Sequence, residues 1–354
     1  MKIATIVGAR PQFIKLAPFS EIIRNSCREV IIHSGQHFDD FMSNQFFKEL
    51  NIPKPDYNLS IKSSLQGEQT AQMMIGIESI LISEKPDVVV VFGDTNTTIA
   101  GALVASKLQI PVVHIEAGLR SFNRSMPEEL NRIVTDHLSD LLLAPTRTAM
   151  KNLDNEGLKE ISFLLGDIMV DSIHRFLLMA RRSSDIISKL QLQRDNYYLL
   201  TLHRPYNVDN PDKLHYILSK LNELKKKIIF PIHPRTINTL KALEKNQFKN
   251  ISFIQPVGYL DMLILQEGSS KIITDSGGIQ KEAYILKVPC VTLRPETEWI
   301  ETVNDGWNLL FDTEVRDYSS IIDFLPAAEQ KFSFGENVAN KMVELIMQKF
   351  CNAH

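Results

Sequence analysis

The chain is poor in the features that mark secreted, membrane-spanning or metal-binding proteins. Its three cysteines, Cys27, Cys290 and Cys351, are odd in number and widely spaced, which argues against a disulfide framework or a zinc site and fits a reducing compartment. No apolar run approaches the ~20 residues that span a bilayer, and residues 1–7 lack the form of a signal peptide. The net charge of −3 favours neither a nucleic acid nor an anionic membrane as partner. We therefore expect a cytoplasmic protein whose affinity for any anion is local.

Signatures of common enzyme classes are also missing. Gly8-Ala9-Arg10 lacks the GxGxxG pattern of a dinucleotide binder. Ser276 lies between Asp275 and Gly277, outside the Gly-x-Ser-x-Gly elbow of a serine hydrolase. No histidine, cysteine or aspartate grouping has metal-ligand spacing. The sequence therefore predicts chemistry that needs no metal and no cofactor.

Apolar, β-branched runs alternate with amphipathic helical stretches along the whole chain. Several runs, such as 88–92, are apolar on both faces, as expected for parallel strands covered by helices on two sides. The alternation resets near residues 166–185. We therefore predict an α/β protein with two doubly wound, parallel-sheet domains, 1–170 and 171–335, facing across a cleft, and a closing helix within 336–354 that packs back toward the first domain. The predicted strands are 3–7, 30–33, 88–92, 112–115, 141–144, 197–201, 228–231, 252–254, 271–274 and 290–293, and the predicted helices include 11–25, 97–108, 128–138, 212–225 and 279–286.

Acidic residues follow consecutive strands in the first half. Asp94 comes after the strand 88–92, Glu116 interrupts the end of the next strand, and Glu128 opens a helix. Each has an ordinary alternative: an N-cap for Asp94, and for Glu128 an acid favoured by the helix dipole or paired with Arg132 one turn later. If the three carboxylates converge at the carboxyl end of one sheet, they suit general acid–base catalysis.

The segment 274–283 predicts a phosphate site. An apolar strand leads into Ser276-Gly277-Gly278, and a helical pattern that carries Glu282 begins at once. Such a helix start presents free N–H groups and the positive end of the helix dipole, and glycine allows a diphosphate to approach closely. Glu282 could accept hydrogen bonds from ribose hydroxyls. The alternative is a tight strand-to-helix turn without a ligand, which is common in α/β proteins.

Basic residues and histidines follow other predicted strands. Arg10 and Lys15 lie around a helix start that Pro11 opens well, which suits a diphosphate clamp, although two solvated charges would give the same pattern. His203 and His233 end consecutive strands, each close to an arginine, and together they indicate a polar binding wall.

Together these segments resemble the non-hydrolysing UDP-N-acetylglucosamine 2-epimerase family, whose members have the two-domain fold of GT-B glycosyltransferases. The resemblance extends over almost the whole chain and is carried by Gly8-Ala9-Arg10-Pro11, His114-Ile115-Glu116-Ala117-Gly118, Pro127-Glu128-Glu129, His203-Arg204, His233-Pro234-Arg235 and Thr274-Asp275-Ser276-Gly277-Gly278. It implies a homodimer, catalytic positions at Asp94, Glu116, Glu128 and His203, and UDP-binding positions at Arg10, Lys15, His233, Ser276, Gly277 and Glu282. Arg235, Val257, Gly278 and Arg294 complete the predicted UDP-binding set.

The resemblance also implies a reaction, the conversion of UDP-N-acetylglucosamine (UDP-GlcNAc) to UDP-N-acetylmannosamine (UDP-ManNAc). UDP is eliminated in an anti sense to give a 2-acetamidoglucal and then re-adds. The proton at C2 is not acidic, so its removal must be assisted by departure of the diphosphate from C1. Cations and helix amides would stabilise the leaving charge, while carboxylates move the proton.

The chain departs from the common family pattern at several positions. Ala9 and Gln12 stand where many members have threonine and glutamate, and Trp299 stands in a segment that is usually Thr-Glu-Arg-Pro. The first two changes resemble the branch that epimerises UDP-2,3-diacetamido-2,3-dideoxyglucuronic acid, which is therefore an alternative substrate. Residues 36–42 differ from the glutamine-bearing segment of members that a second substrate molecule activates. A GT-B glycosyltransferase, a UDP-sugar hydrolase and a non-enzymatic sensor are further alternatives.

Overall fold

The computed structural model describes residues 1–35, 47, 49–61, 65–241, 247–314, 318–327, 329–331 and 334–351. The chain divides into two units, Met1–Ser172 with Ser333–His354, and Ile173–Phe332. Each unit contains one sheet, and every strand pair in both sheets is parallel. The predicted α/β class with two parallel sheets is confirmed. Within the described residues, no helix combines the length and apolarity that crossing a membrane requires.

The first unit has a seven-stranded sheet of order β3-β2-β1-β4-β5-β6-β7. Its strands are β1 (Lys2–Val7), β2 (Arg28–His33), β3 (Tyr57–Asn58), β4 (Val88–Phe92), β5 (Val112–Ile115), β6 (Leu141–Ala144) and β7 (Ser162–Leu164), and its helices include α1 (Arg10–Ile23), α2 (Gln66–Glu84), α3 (Asn96–Lys107), α4 (Pro127–Leu138) and α5 (Arg147–Asn155). Because β1 pairs with both β2 and β4, the strand order reverses beside it. Loops that leave adjacent strands at such a point diverge and form a ligand site in open α/β sheets.

The second unit repeats this plan with a six-stranded sheet of order β10-β9-β8-β11-β12-β13. Its strands are β8 (Tyr197–Thr201), β9 (Lys227–Pro231), β10 (Ile251–Ile254), β11 (Lys271–Thr274), β12 (Cys290–Thr292) and β13 (Asn308–Leu310). The helices that follow α5 are α6 (Met169–Ser183), which contains the boundary between the units, α7 (Ile186–Lys189), α8 (Pro205–Val208), α9 (Pro211–Asn222), α10 (Pro234–Lys241), α11 (Tyr259–Glu267), α12 (Gly277–Ile285), α13 (Ile300–Asn304) and α14 (Ser319–Asp323). The strand order reverses between β8 and β11, so the loops after these strands are the expected ligand site.

The cores follow from the apolar strands. In the second unit, Leu200, Phe230, Ile273 and Val291 are fully buried in one cluster with the apolar face of α9. In the first unit, buried side chains of β1, β2 and β4 pack against α2 and α3. The last helix, α15 (Val338–Phe350), belongs to the first unit and packs against α1.

Candidate active site

The carboxylate of Asp94 is held by helix α4. Arg132 Nη2 lies 2.5 Å from Asp94 Oδ2, and the side chain of Asn131 donates to the Asp94 carbonyl at 3.0 Å. Arg132 Nη1 also lies 3.2 Å from Glu129 Oε2, and within the described residues we find no ion pair between Arg132 and Glu128. The helical Glu128–Arg132 pair considered from the sequence is therefore wrong. Arg132 instead joins α4 to the loop after β4.

Glu116 forms a buried ion pair with Lys15 of α1. The pair lies beside Gly93, where an added Cβ atom would be 3.4 Å from Glu116 Oε2 and 3.6 Å from Lys15 Nζ. Gly93 precedes Asp94, and its amide donates to the carbonyl of Ile115 at 3.0 Å. The structure thus brings together the loops that carry Asp94 and Glu116, with Lys15 against them.

Two other predicted residues of the first unit lie near helix starts. Glu128 is in the first turn of α4, partly exposed, three residues before Asn131. Its neighbour Glu129 is buried and accepts hydrogen bonds from the amides of Ser121 and Phe122 at 2.9 and 2.8 Å, so Glu129 has a structural task that leaves Glu128 as the candidate acid. Arg10 begins α1 and is exposed.

The predicted phosphate loop opens helix α12. Ser276 is its N-cap, with a side chain that accepts from the amide of Ile279 at 3.4 Å, and Gly277 and Gly278 form the first turn. A Cβ atom added at Gly277 would overlap the carboxylate of Glu298, whereas one at Gly278 would meet only Ser276 Oγ, at 3.8 Å. Gly277 is therefore required by the fold, while the space over Gly278 is open. The amides of a first helical turn have no intrahelical acceptor and face this space.

His203 is oriented by a buried carboxylate. Its Nδ1 lies 3.1 Å from Asp275 Oδ1, and Asp275 also accepts from the amides of His203 and Arg204 at 3.0 and 2.9 Å. Burial alone raises the pKa of Asp275, but hydrogen bonds from His203, the Arg204 amide and Asn207 outweigh it and hold that pKa below its ordinary value. Because Asp275 is a carboxylate, Nδ1 carries a hydrogen, which leaves Nε2 of a neutral ring as an acceptor. The His203 ring lies beside that of His233, with centroids 5.2 Å apart.

The remaining predicted UDP-binding residues differ in how they are held. Glu282 is buried and accepts from Gln266 Nε2 at 2.6 Å. Arg294 is buried and lies 3.0 Å from Glu298; burial lowers its pKa, but the Glu298 charge more than offsets this. Arg235 is exposed and forms a two-pronged pair with Asp209 at 2.9 and 2.7 Å, so a diphosphate would have to compete with that carboxylate. Val257 lies, partly exposed, in the turn before α11.

Comparison with known proteins identifies the family. A family model described as UDP-N-acetylglucosamine 2-epimerase matches residues 21–342. The chain belongs to this family. It is 51% identical over 354 residues to the UDP-N-acetylglucosamine 2-epimerase homolog of Methanococcus maripaludis, covering 98% of this chain and 99% of that protein. It is 48% identical over 318 residues to the UDP-2,3-diacetamido-2,3-dideoxy-D-glucuronate 2-epimerase of Pseudomonas aeruginosa, covering 88% of each.

A solved structure gives the same result. The crystal structure of Methanocaldococcus jannaschii UDP-GlcNAc 2-epimerase in complex with UDP-GlcNAc and UDP has a TM-score of 0.89 with this chain at 45% identity, covering 99% of this chain and 100% of that one. The family predicted from the sequence is confirmed, and with it the isomerase class. Residues 36–42, which the sequence singled out for substrate activation, lie outside the described residues.

Within this epimerase fold, several side chains that orient the candidates were missed from the sequence. Gln12 is buried; its Oε1 accepts from the amides of Gly8 and Ala9 at 2.7 and 3.0 Å, and its Nε2 donates to the Phe92 carbonyl at 2.8 Å. It thereby ties the loop after β1 to the loop before Asp94. Asp275 and Gln266 act similarly on His203 and Glu282. Their common signal is a polar residue inside an otherwise apolar stretch, which sequence alone does not connect to a partner.

Proposed function

We propose that this epimerase interconverts UDP-GlcNAc and UDP-ManNAc by anti elimination of UDP and re-addition through a 2-acetamidoglucal. The observation that carries the proposal is the pair of carboxylates, Asp94 and Glu116, on neighbouring loops of the first unit, each beside a buried cation. A binding-only site for a diphosphate gains nothing from such buried anions. Acid–base chemistry on a sugar accounts for them.

UDP binding is assigned mainly to the second unit. The amides of the Ser276 loop and the Arg294 guanidinium would stabilise the diphosphate, and the carboxylate of Glu282, already oriented by Gln266, would accept from the ribose. The wider set is His233, Arg235, Val257, Gly277 and Gly278, with Arg10 and Lys15 from the first unit. These groups stabilise charge that grows on the diphosphate as the C1–O bond breaks, so they favour the elimination itself.

Proton transfer is assigned to Asp94, Glu116, Glu128 and His203. Epimerisation removes the C2 proton from one face and returns a proton to the other, which requires more than one acid–base group. Glu116 beside Lys15, and Asp94 beside Arg132, are stabilised as carboxylates and therefore suit proton acceptance or stabilisation of an oxocarbenium-like transition state. His203, with Nδ1 facing Asp275, suits proton transfer through Nε2.

UDP-2,3-diacetamido-2,3-dideoxyglucuronate is the second candidate substrate. The 48% identity to the Pseudomonas enzyme is close to the 51% identity to the Methanococcus homolog, so overall similarity does not separate the two sugars. Trp299, one of the departures noted in the sequence, is buried with Lys281 Nζ 4.0 Å from its ring centroid. Both substrates undergo the same chemistry at C2.

Incubation with each UDP-sugar in D2O, followed by NMR, tests the proposal. We expect epimerisation of one sugar and deuterium at C2 of both epimers, because the intermediate loses the original proton. Epimeric equilibrium without label would contradict the proton-transfer route. Release of UDP with a free sugar would indicate a hydrolase, and transfer only to an added acceptor would indicate a glycosyltransferase.

We further propose a cytoplasmic homodimer, as the family resemblance implies. The free cysteines, Cys27, Cys290 and Cys351, are consistent with a reducing compartment. Light scattering on the purified protein should give twice the chain mass of 40.3 kDa. A mass equal to that of one chain at micromolar concentration would contradict the dimer.

A further inference from the structure

A buried histidine connects the two loops that carry the proposed acids. His114 lies on β5 and is completely buried. Its Nε2 is 2.7 Å from the carbonyl oxygen of Gly93, and its Nδ1 is 2.7 Å from Asp136 Oδ1. A carbonyl oxygen only accepts hydrogen bonds, so Nε2 carries a hydrogen. The ring therefore donates to the residue that directly precedes Asp94.

Asp136 of α4 extends this connection to the loop after β5. It is also completely buried, and its Oδ2 accepts from the amide of Gly118 at 3.1 Å and lies 2.7 Å from Arg120 Nη2. Burial alone raises the pKa of Asp136, but His114 and Arg120 outweigh it and keep the pKa below its ordinary value. With a carboxylate facing Nδ1, that nitrogen also donates. His114 is then protonated on both nitrogens, between an anion and a carbonyl.

The backbone that this network supports is strained. Glu116 has φ of +75° and Gly118 has φ of +80°, so a glutamate adopts a left-handed conformation that a non-glycine residue rarely adopts. Such conformations persist only when the surrounding structure fixes them, and they concentrate at functional sites. The Gly118 amide bonded to Asp136 and the Gly93 carbonyl bonded to His114 fix the backbone on both sides of this region.

We propose that His114 and Asp136 are positioning residues that set the spacing of the Asp94 and Glu116 carboxylates for proton transfer at the substrate carbon. The proposal rests on the proposed function of those two acids. His114 touches no substrate in this role. It acts through the Gly93 carbonyl, and Asp136 acts through the Gly118 amide. Acid–base groups must lie within hydrogen-bond reach of the proton that they move, so small displacements of either loop reduce turnover.

Two substitutions of the same histidine separate positioning from packing. In His114→Gln the side-chain amide nitrogen can occupy the position of Nε2 and still donate to the Gly93 carbonyl. In His114→Asn the amide nitrogen can occupy the position of Nδ1, which keeps the bond to Asp136 and loses the bond to Gly93. His174→Asn, at an exposed site on α6, is the matched control. Both buried variants remove a ring from the same cavity, so packing alone predicts similar losses.

We expect His114→Asn to lower kcat by about 20-fold with KM within about threefold of the unsubstituted protein, and His114→Gln to restore most of that loss. Rates are expressed per UDP-binding site, measured by calorimetry, so a misfolded fraction does not enter kcat. The Kd for UDP should stay within about threefold in both variants, because neither loop belongs to the Ser276 site.

The outcomes distinguish this proposal from the proposed function. Equal kcat in the two variants would contradict the positioning role while leaving the epimerase proposal intact, whereas an unsubstituted protein inactive on both UDP-sugars would contradict both. If neither variant folds, Asp136→Asn gives the test, because its amide can still accept from Gly118 and donate to a neutral His114. Positioning then predicts most of the kcat retained, and a 20-fold loss or more would contradict it.

Discussion

Glu116→Gln should lower kcat for epimerisation by at least ~100-fold, equivalent to about 2.7 kcal/mol in the barrier, while the Kd for UDP stays within about tenfold. The amide keeps the size of the side chain but cannot accept the proton or carry the charge of the carboxylate. Lys15 loses an anionic partner in this variant, so its attraction for the diphosphate should be maintained or increased. NMR progress curves give the turnover, and calorimetry gives the Kd.

Glu78→Gln, at an exposed position on α2, is the matched control and should leave kcat and the Kd for UDP unchanged. Turnover of Glu116→Gln equal to that of the control would remove Glu116 from the proposed proton-transfer set. Loss of UDP binding with retained folding would instead assign Glu116 to the diphosphate site. Because the ion pair is buried, Tm must be measured alongside to separate a loss of chemistry from a loss of folded protein.

The sequence predicted the central strands because their burial leaves a strong pattern. Residues 88–92 are apolar on both faces and form β4, which is buried at every position. The strands that the sequence missed are short: β3 has two residues, and β7 and β13 have three each. In β7, exposure increases from Ser162 to Leu164, which matches neither an alternating nor a uniformly apolar pattern. Whether such segments pair with a neighbouring strand depends on tertiary packing.

The candidate site was predictable as a set of positions but not as a set of partners. Polar residues at the carboxyl ends of parallel strands identified Asp94, Glu116 and His203, because the fold directs ligands to those ends. The partners of Asp94 and His203 lie 38 and 72 residues away along the chain, at Arg132 and Asp275. Local patterns extend over one or two helical turns, so they suggested the Glu128–Arg132 pair and missed the pair that forms.

Gly278→Ala should weaken UDP binding by about 30-fold, or ~2 kcal/mol, without lowering Tm. In the protein without ligand, an added Cβ atom at this position meets only Ser276 Oγ, at 3.8 Å, and φ of Gly278 is not in the left-handed region. Alanine also favours a helix more than glycine does, so the substitution should not destabilise α12. A diphosphate bound to the amides of this turn would meet the new methyl group, and the cost therefore falls on the complex alone.

Gly277→Ala is the informative comparison, because its Cβ atom would overlap the Glu298 carboxylate in the absence of any ligand. This variant should lower Tm as well as UDP affinity, since Glu298 must move and takes its pairing with Arg294 with it. Calorimetry with UDP and thermal unfolding of both variants separate the two effects. Normal UDP affinity in Gly278→Ala would show that the diphosphate does not approach the first turn of α12, and the assignment of nucleotide binding to the Ser276 loop would then be wrong.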